Sequence, residues 1–321
     1  MMGPRLVFFG TPPIAARALE ALVTGGFDVA AVVSQPDRPV GRGRNVQHTP
    51  VRESAEKLGL PVIQPESARD PGLVEYLKTL DPDLFTVVAY GNFLPGKLLS
   101  VPRLAALNLH FSHLPAYRGA APVNWALVDG VDTTGVTVQR MVKKMDAGDV
   151  VLQRKLSVGP DETAPELQER LTALGIPLLA EAVNLIFSGN DDRTPQDESR
   201  VTFAPLLKRE HGGLDFTRPA RELHDRWRGL LPWPGVFCLL GEETLKVHRC
   251  RPVPENTAEP PGAVFRFTED GWLTACGGGS VLEILEVQAG GSRRLPAKDF
   301  ANGRRLKPAF RLIPVVPAPR A

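Results

Sequence analysis

The chain has 321 residues, 43% of them hydrophobic and 23% charged, with 38 Lys+Arg against 36 Asp+Glu for a formal net charge of +2. That length suits two domains better than one core, and the composition is that of an ordinary soluble protein without an internal repeat or heptad pattern. No apolar stretch approaches the ~18–20 residues that cross a bilayer, and the N-terminus runs straight into a strand without a signal-peptide cleavage region.

Cys238, Cys250 and Cys276 are odd in number and widely spaced. Neither a disulfide framework nor a zinc site fits them, so buried thiols in a cytoplasmic protein are expected. Met1–Pro205 carries 20 Lys+Arg against 23 Asp+Glu, and Leu206–Ala321 carries 18 against 13. The basic second part hints at a polyanion partner.

In chain order, Arg5–Phe9 reads as a short apolar strand stopped by Gly10-Thr-Pro-Pro13. Ile14–Val23 has helical apolar spacing at Ala15, Ala18, Leu19 and Leu22. Val29–Ser34 is a second strand, Val51–Leu58 helical, Val62–Gln64 extended, and Leu73–Leu80 helical. Leu84–Ala89 is a continuous apolar run of the kind that a parallel sheet covered on both faces requires. Leu104–His110 is the next strand, and Pro122–Val128 opens a helix with proline in its first turn. Gly135–Met141 and Val150–Lys155 look like paired strands, and Thr163–Phe187 is the longest helix, with Glu166 partnering a Thr163 cap. The alternation implies an α/β fold with a doubly wound parallel sheet.

Ser188–Arg200 is polar and turn-rich, as a linker should be. After a helix at Pro219–Gly229, short runs at Val236–Leu240, Leu245–Arg249, Gly262–Phe267, Trp272–Ala275 and Val281–Val287 suggest a small β-barrel or sandwich. The expected division is 1–189, a 190–207 linker and 208–315. Trp227 and Trp233 are expected in the core.

The most informative stretch is Asn108–Pro122. Asn108 and His110, two positions apart, leave their strand on the same face. Ser112, Pro115, Gly119 and Pro122 then break the strand, which places the amide and imidazole at a carboxyl-terminal sheet edge, where open α/β sheets bind ligands. An amide donor beside a titratable ring suits a reaction in which negative charge grows on a carbonyl oxygen. Taken singly, each residue has a bland reading: His110 a satisfied strand-end histidine, Asn108 a loop cap, Asp146 a turn residue before Ala147-Gly148. A strand-end Asn-x-His with a later Asp-x-Gly-Asp reverses those readings.

Two loops stand out besides. Tyr90–Pro95 follows a buried strand and offers backbone groups with Phe93 and Leu94 for apolar contact. Gln35–Pro50 is a long excursion with Arg38, Arg42, Arg44 and His48. Neither Gly10-Thr-Pro-Pro13 nor Gly41-Arg-Gly43 completes Gly-x-Gly-x-x-Gly, since Val46 stands at the third position, which disfavours a redox dinucleotide enzyme.

With Phe9-Gly-Thr-Pro12, Gln35–Gly43, Ala89–Pro95, Asn108–Pro122, Met145–Asp149 and Leu231-Pro-Trp-Pro-Gly235 in that order, the chain resembles the methionyl-tRNA formyltransferases over essentially its whole length. The resemblance implies a Rossmann-like formyl-folate domain followed by an OB-like, tRNA-binding β-barrel. It implies transfer of a formyl group from 10-formyltetrahydrofolate to the amino group of methionyl initiator tRNA, without a metal and by a monomer. It assigns catalysis to Asn108, His110 and Asp146. Folate contact falls to Tyr90, Gly91, Asn92, Phe93, Leu94, Ser112, His113, Leu114 and Pro115, and tRNA contact to Arg38, Arg42 and Arg44. His113 stands where the family carries leucine, and Leu206 where relatives commonly carry lysine.

The chemistry agrees. A model α-amino group titrates near ~8, so a neutral fraction exists without a powerful base, and oxyanion stabilisation matters more. Asn108 and a cationic His110 would donate to that oxygen, with Asp146 stabilising the imidazolium and helping to relay the amine proton. In the second part Arg221, Arg226, Arg228, Lys246, Arg249, Arg251, Arg293, Arg294, Arg304, Arg305 and Lys307 are available to track phosphates. The rivals are a sugar-amine formyltransferase, a formyltetrahydrofolate hydrolase, and a non-catalytic RNA-binding protein.

Overall fold

A computed structural model of the chain describes residues 3–40, 45–190 and 192–320. It divides into two compact units, neither contiguous in sequence: Met1–Ala120, Thr133–Ser157 and Glu169–Phe203 form one, and Ala121–Asp132, Val158–Gln168 and Ala204–Ala321 the other.

In the first unit the chain runs β1 (Arg5–Gly10), α1 (Pro13–Thr24), β2 (Asp28–Val33), β3 (Arg38–Val40), β4 (Asn45–Gln47), α2 (Pro50–Lys57), β5 (Val62–Ile63), α3 (Pro71–Thr79), β6 (Leu84–Val88), α4 (Gly96–Leu99) and β7 (Ala105–His110). After α5 (Pro122–Val128), which belongs to the other unit, come β8 (Thr133–Arg140), β9 (Val150–Ser157) and α6 (Ala164–Phe187), which joins this unit from Glu169 onward. Seven strands pair in the order β5-β2-β1-β6-β7-β8-β9, and β3 pairs β4 separately.

The β5-β2-β1-β6-β7 portion is parallel, and β8 and β9 complete the sheet antiparallel. Leu6–Phe9 of β1 and Leu84 and Phe85 of β6 are fully buried, because strands in the middle of such a sheet are covered on both faces. Proline opens α1, α2 and α3, while the Thr49 and Asp70 side chains accept the Arg52 and Gly72 amides at 3.2 and 2.8 Å. From β1 the chain builds outward to β5 and then returns to β6 on the other side. The order therefore reverses between β1 and β6, where the carboxyl ends leave a crevice.

The reading that no apolar stretch is long enough for a bilayer needs correction, since α6 is long and apolar enough by length and composition. Its apolarity has a local use. Leu171, Leu179, Ala182 and Val183 are fully buried, and a Cβ on Gly175 would lie 3.0 Å from the Leu109 side chain of β7. The helix start is as expected, with Glu166 accepting from the Thr163 amide and hydroxyl at 2.8 and 2.6 Å.

In the second unit α5 packs with α7 (Ala220–Gly229), where the Asn124 amide donates to the Gly229 carbonyl at 2.7 Å. The buried Arg228 donates to the Gly159 and Glu162 carbonyls at 2.9 and 3.1 Å. These long-range bonds group 121–132 and 158–168 with the C-terminal residues, a division that composition along the chain does not reveal.

The barrel strands are β10 (Val236–Leu240), β11 (Glu243–Asn256), β12 (Ala263–Phe267), β13 (Trp272–Ala275), β14 (Ser280–Ala289), β15 (Leu295–Pro296) and, after α8 (Ala297–Gly303), β16 (Phe310–Arg311). They pair in the order β10-β11-β14-β13-β12-β16, with β15 on β14. Leu239 and Ile313 exchange backbone bonds of 3.0 and 2.8 Å, closing the sheet on itself. Cys238, Cys250 and Cys276 are free and buried, and burial pushes the Cys238 and Cys276 thiols up to about 12. Trp233 is 55% exposed rather than core, because it sits in a tight Leu-Pro-Trp-Pro-Gly turn closed by the Gly235 amide on the Leu230 carbonyl.

Phe85 lies against Phe9 with ring centroids 4.9 Å apart, in a cluster with Tyr90 and Leu94. Phe85→Ala should cost about 3–5 kcal/mol, read as a lower urea midpoint for the first unit's transition.

Candidate active site

The register of β7 on β8 sets the site. Asn108 lies opposite Gln139 and His110 opposite Thr137, and directly opposed residues of an antiparallel pair share a face. The Gln139 amide donates to Asp146 Oδ1 at 2.9 Å, while Asp146 Oδ2 accepts the Gly119 amide at 2.9 Å and lies 3.8 Å from His110 Nδ1. Asp146 has a left-handed backbone with φ of 49°. The structure thus brings Asp146 to His110, as expected from the motifs.

His110 is 5% exposed, and its Nε2 is 2.9 Å from the Tyr117 carbonyl. A carbonyl only accepts, so Nε2 carries the hydrogen of that bond. Nδ1 is the nitrogen left facing Asp146. The half-buried Asn108 amide makes no hydrogen bond among the described residues. An uncommitted donor thus lies two positions before the imidazole.

The Tyr90–Leu94 loop is part support and part surface. Tyr90 is 1% exposed, its ring packs edge-on against Phe9, and burial pushes its phenol pKa up, with the nearby Asn92 side chain opposing the shift. The Tyr90 carbonyl accepts from Thr11 Oγ1 at 3.0 Å and from Gln35 Nε2 at 2.9 Å. Gly91 has φ of 83°, and a Cβ there would stand 2.5 Å from the Gln35 amide. Leu94 is core at 1% exposure, whereas Gly91 and Asn92 are exposed and Phe93 is 50% exposed. Val142 and Met145 are exposed too. Their loop adjoins this one, since a Cβ on Gly96 would lie 2.8 Å from the Lys143 side chain.

Ser112 and Leu114 are buried with their polar groups engaged. Ser112 Oγ donates to the Ala116 carbonyl at 2.6 Å, Thr137 Oγ1 donates to the Ser112 carbonyl at 2.7 Å and accepts the Leu114 amide at 3.1 Å, and Gln153 donates to the Leu114 carbonyl at 2.7 Å. His113, Leu114 and Pro115 line a cavity of about 430 Å³ with Gln153, Gln196 and Arg200. Asn108, His110 and Asp146 are not among its lining residues. Burial lowers the His113 pKa, the nearby Lys155 and Arg200 charges lower it further, and a backbone hydrogen bond opposes them.

Of the basic loop, Arg42 and Arg44 lie outside the described residues, and Arg38 is exposed at the start of β3. His48 is not a free basic group. Its Nδ1 pairs with Asp37 Oδ2 at 2.7 Å, and Asp37 also receives Arg52, Gln64 at 2.8 Å and the Thr49 amide at 3.2 Å. Burial alone pushes Asp37 up, but the bonds from Gln64, His48 and Thr49 and the Arg52 charge together hold it at about 2.

Sequence reading missed Gln139, Gly119 and Gln196. The Gln196 amide donates to the Asp146 and Gly148 carbonyls at 2.8 and 2.7 Å. Its segment is not a free linker: Thr194 and Val150 exchange backbone bonds of 3.0 and 2.9 Å, and the Arg118 amide bonds the Thr202 carbonyl at 2.9 Å. Gly119 reads in the sequence only as a strand breaker, Gln139 gains its role from a strand register that no motif declares, and the Gln196 partner Asp146 lies fifty positions away.

Residues 4–183 match the family described as formyl transferase, and residues 206–305 match the formyl transferase C-terminal domain. Fold and site therefore define a formyl transferase. The chain belongs to the methionyl-tRNA formyltransferase family. A relative of that name from Geobacter sulfurreducens is 43% identical over 312 residues, 97% of this chain and 98% of its own length. One from Solibacter usitatus is 44% identical over 302 residues, 94% of this chain and 96% of its own. The solved N-formyltransferase from Helicobacter canadensis, in complex with folinic acid and dTDP-3-aminofucose, shares the fold with a TM-score of 0.69. It covers 89% of this chain and 99% of its own at 18% identity.

His113 predicts a pH effect. Its folded pKa lies below its ordinary value, so the unfolded chain binds the proton more readily. The stability it contributes is present above ~6.5 and lost as pH falls. Between pH 7.5 and 5.5, the melting temperature of His113→Leu should fall less than that of the wild type.

Proposed function

We propose that the chain transfers the formyl group of 10-formyltetrahydrofolate to the α-amino group of methionyl initiator tRNA, in support of translation initiation. The single observation that carries the reading is the gathering of the Asp146 carboxylate, His110 Nδ1 and the uncommitted Asn108 amide at the carboxyl edge of the sheet. Family membership over nearly the full length supplies the substrates.

The site fits the folate donor in its chemistry. Exposed Phe93, Val142 and Met145 offer apolar surface on two adjoining loops, suited to a flat heterocycle. Gly91, Asn92 and Phe93 are the members of the first loop with surface to offer, and Tyr90 and Leu94 hold that loop in place from the core. Of Ser112–Pro115, His113 and Pro115 retain exposed surface and the other two brace the turn.

Asn108 and His110 Nδ1 donate to the formyl oxygen as negative charge develops there. Asp146 balances the imidazolium and accepts the proton that the attacking amine sheds. Nε2 stays on the Tyr117 carbonyl, which fixes the ring while Nδ1 works. The formyl carbon gains a bond to the amine nitrogen and loses its bond to the folate nitrogen, which takes up a proton.

On the acceptor side, Arg38, Arg42 and Arg44 reach for the tRNA from a loop anchored at Asp37. In the second unit the pattern of ion pairs sorts the cations. Arg221, Arg228, Arg251, Arg294 and Arg304 pair with carboxylates, and Arg226 donates to the His211 carbonyl at 2.7 Å. Lys246, Arg249, Arg293, Arg305 and Lys307 are exposed and have no such partner among the described residues, and these are the phosphate contacts. The protein works in the cytoplasm as a monomer.

Labelled formyl should pass to charged initiator tRNA and not to uncharged tRNA, while transfer to a free sugar amine instead would favour a sugar formyltransferase. Asn108→Ala should lower kcat about 10²–10³-fold, and unaltered turnover would overturn its role. Lys246→Ala with Arg249→Ala should raise the KM for tRNA, spare that for folate and flatten the log–log salt dependence by about one unit per contact.

A further inference from the structure

The tripeptide Tyr117-Arg118-Gly119 touches both halves of the His110–Asp146 pair. The Tyr117 carbonyl accepts from His110 Nε2, and the Gly119 amide donates to Asp146 Oδ2, each at 2.9 Å. Between them Arg118 is 1% exposed, a burial that a cation tolerates only when it is held by specific partners. Its Nε and Nη2 both donate to Gln196 Oε1, at 3.0 and 2.7 Å, and Nη2 also meets Glu198 Oε1 at 2.8 Å.

That arrangement fixes which way the Gln196 amide points. The guanidinium has no acceptor to offer, so it claims the amide oxygen. The amide nitrogen must then face the Asp146 and Gly148 carbonyls, to which it donates at 2.8 and 2.7 Å. It also approaches Gln139 Oε1 at 3.4 Å, and the Gln139 nitrogen holds Asp146 Oδ1. Glu198 balances the buried charge and accepts from Lys144 at 2.7 Å, two residues before Asp146, so the circuit closes on the loop where it began. Asp146 needs such support, because a left-handed non-glycine persists only where its surroundings over-determine it.

We propose that Arg118 and Gln196 are positioning residues for formyl transfer: the guanidinium orients the Gln196 amide, and the amide locks the Asp146 backbone so that its carboxylate stays opposite His110 Nδ1. Neither residue needs to touch a substrate. The proposal rests on the reading of His110 and Asp146 as the transfer centre. A flipped or missing amide would set oxygen, or nothing, against two carbonyl oxygens and release the loop. Displacement by about 1 Å can cost on the order of 10²-fold in rate.

Gln196→Glu is the decisive variant. It keeps an acceptor for Arg118 and leaves the pairing of that buried guanidinium with Glu198, yet an ionised carboxylate has no hydrogen to give the two carbonyls. Its kcat should fall tens- to a hundredfold, with both KM values within about twofold of wild type and a pH–rate profile of altered shape. Gln196→Met, which removes both functions, should behave alike, and Arg118→Lys, which can still hold the amide oxygen, should recover part of the rate. In an Asp146→Asn background, Gln196→Glu should add little further loss. Wild-type kcat and pH profile in folded Gln196→Glu, or a fully additive loss with Asp146→Asn, would overturn the proposal. Undiminished turnover in Asp146→Asn itself would instead overturn the reading of the site.

Discussion

Everything at this site depends on keeping one carboxylate still. Asp146 sits on a loop, in a backbone conformation that side chains disfavour, yet both its oxygens and its carbonyl receive N–H groups from Gln139, Gly119 and Gln196. Those donors come from β8, from the segment after β7 and from the stretch after α6. A group so held needs no reorganisation as charge develops beside it, which is the condition under which fixed dipoles act most strongly on a reaction.

Topology explains why the residues meet there. A parallel sheet delivers its carboxyl ends to one edge, and the reversal between β1 and β6 opens that edge. The antiparallel β8 then returns alongside β7 and lays Gln139 opposite Asn108. A register shift of one residue would turn Gln139 to the other face and leave Asp146 Oδ1 without its donor. The placement of the site is therefore a consequence of strand pairing as much as of loop sequence.

How much of this the chain declares in advance follows from the range of each interaction. The buried runs of β1, β6 and β7, the Thr163–Glu166 cap and the shared face of Asn108 and His110 rest on local periodicity, and they are legible. Strand β11 is not, because Pro252 and Pro254 argue against continuing past Arg249. It continues because β10 pairs only Glu243–Val247, so the later residues have a free side where a missing amide hydrogen is tolerated. Tyr90, Ser112 and Leu114 read as contact residues from their motif, whereas their burial, and the engagement of the Tyr90 carbonyl by Thr11 and Gln35, depend on neighbours that no spacing reveals. The same holds for Gln196, whose importance lies entirely in partners about fifty and eighty positions away.

Transfer between two bound molecules requires that their reacting atoms be held in one frame, since positioning is a large part of the rate. In the first unit a single carbonyl links two loops in such a frame. The oxygen of Tyr90 accepts from Thr11, at the end of β1, and from Gln35, at the root of the arginine-bearing excursion. Gln64 then ties the Gln35 carbonyl and Asp37 together at 2.8 Å each. The loop that exposes Phe93 and the stretch that leads into Arg38 are thus anchored to one another. A disturbance at Asp37 would reach the Tyr90 loop through two hydrogen-bonded side chains, so an effect confined to one loop would require a change nearer its tip than their shared root.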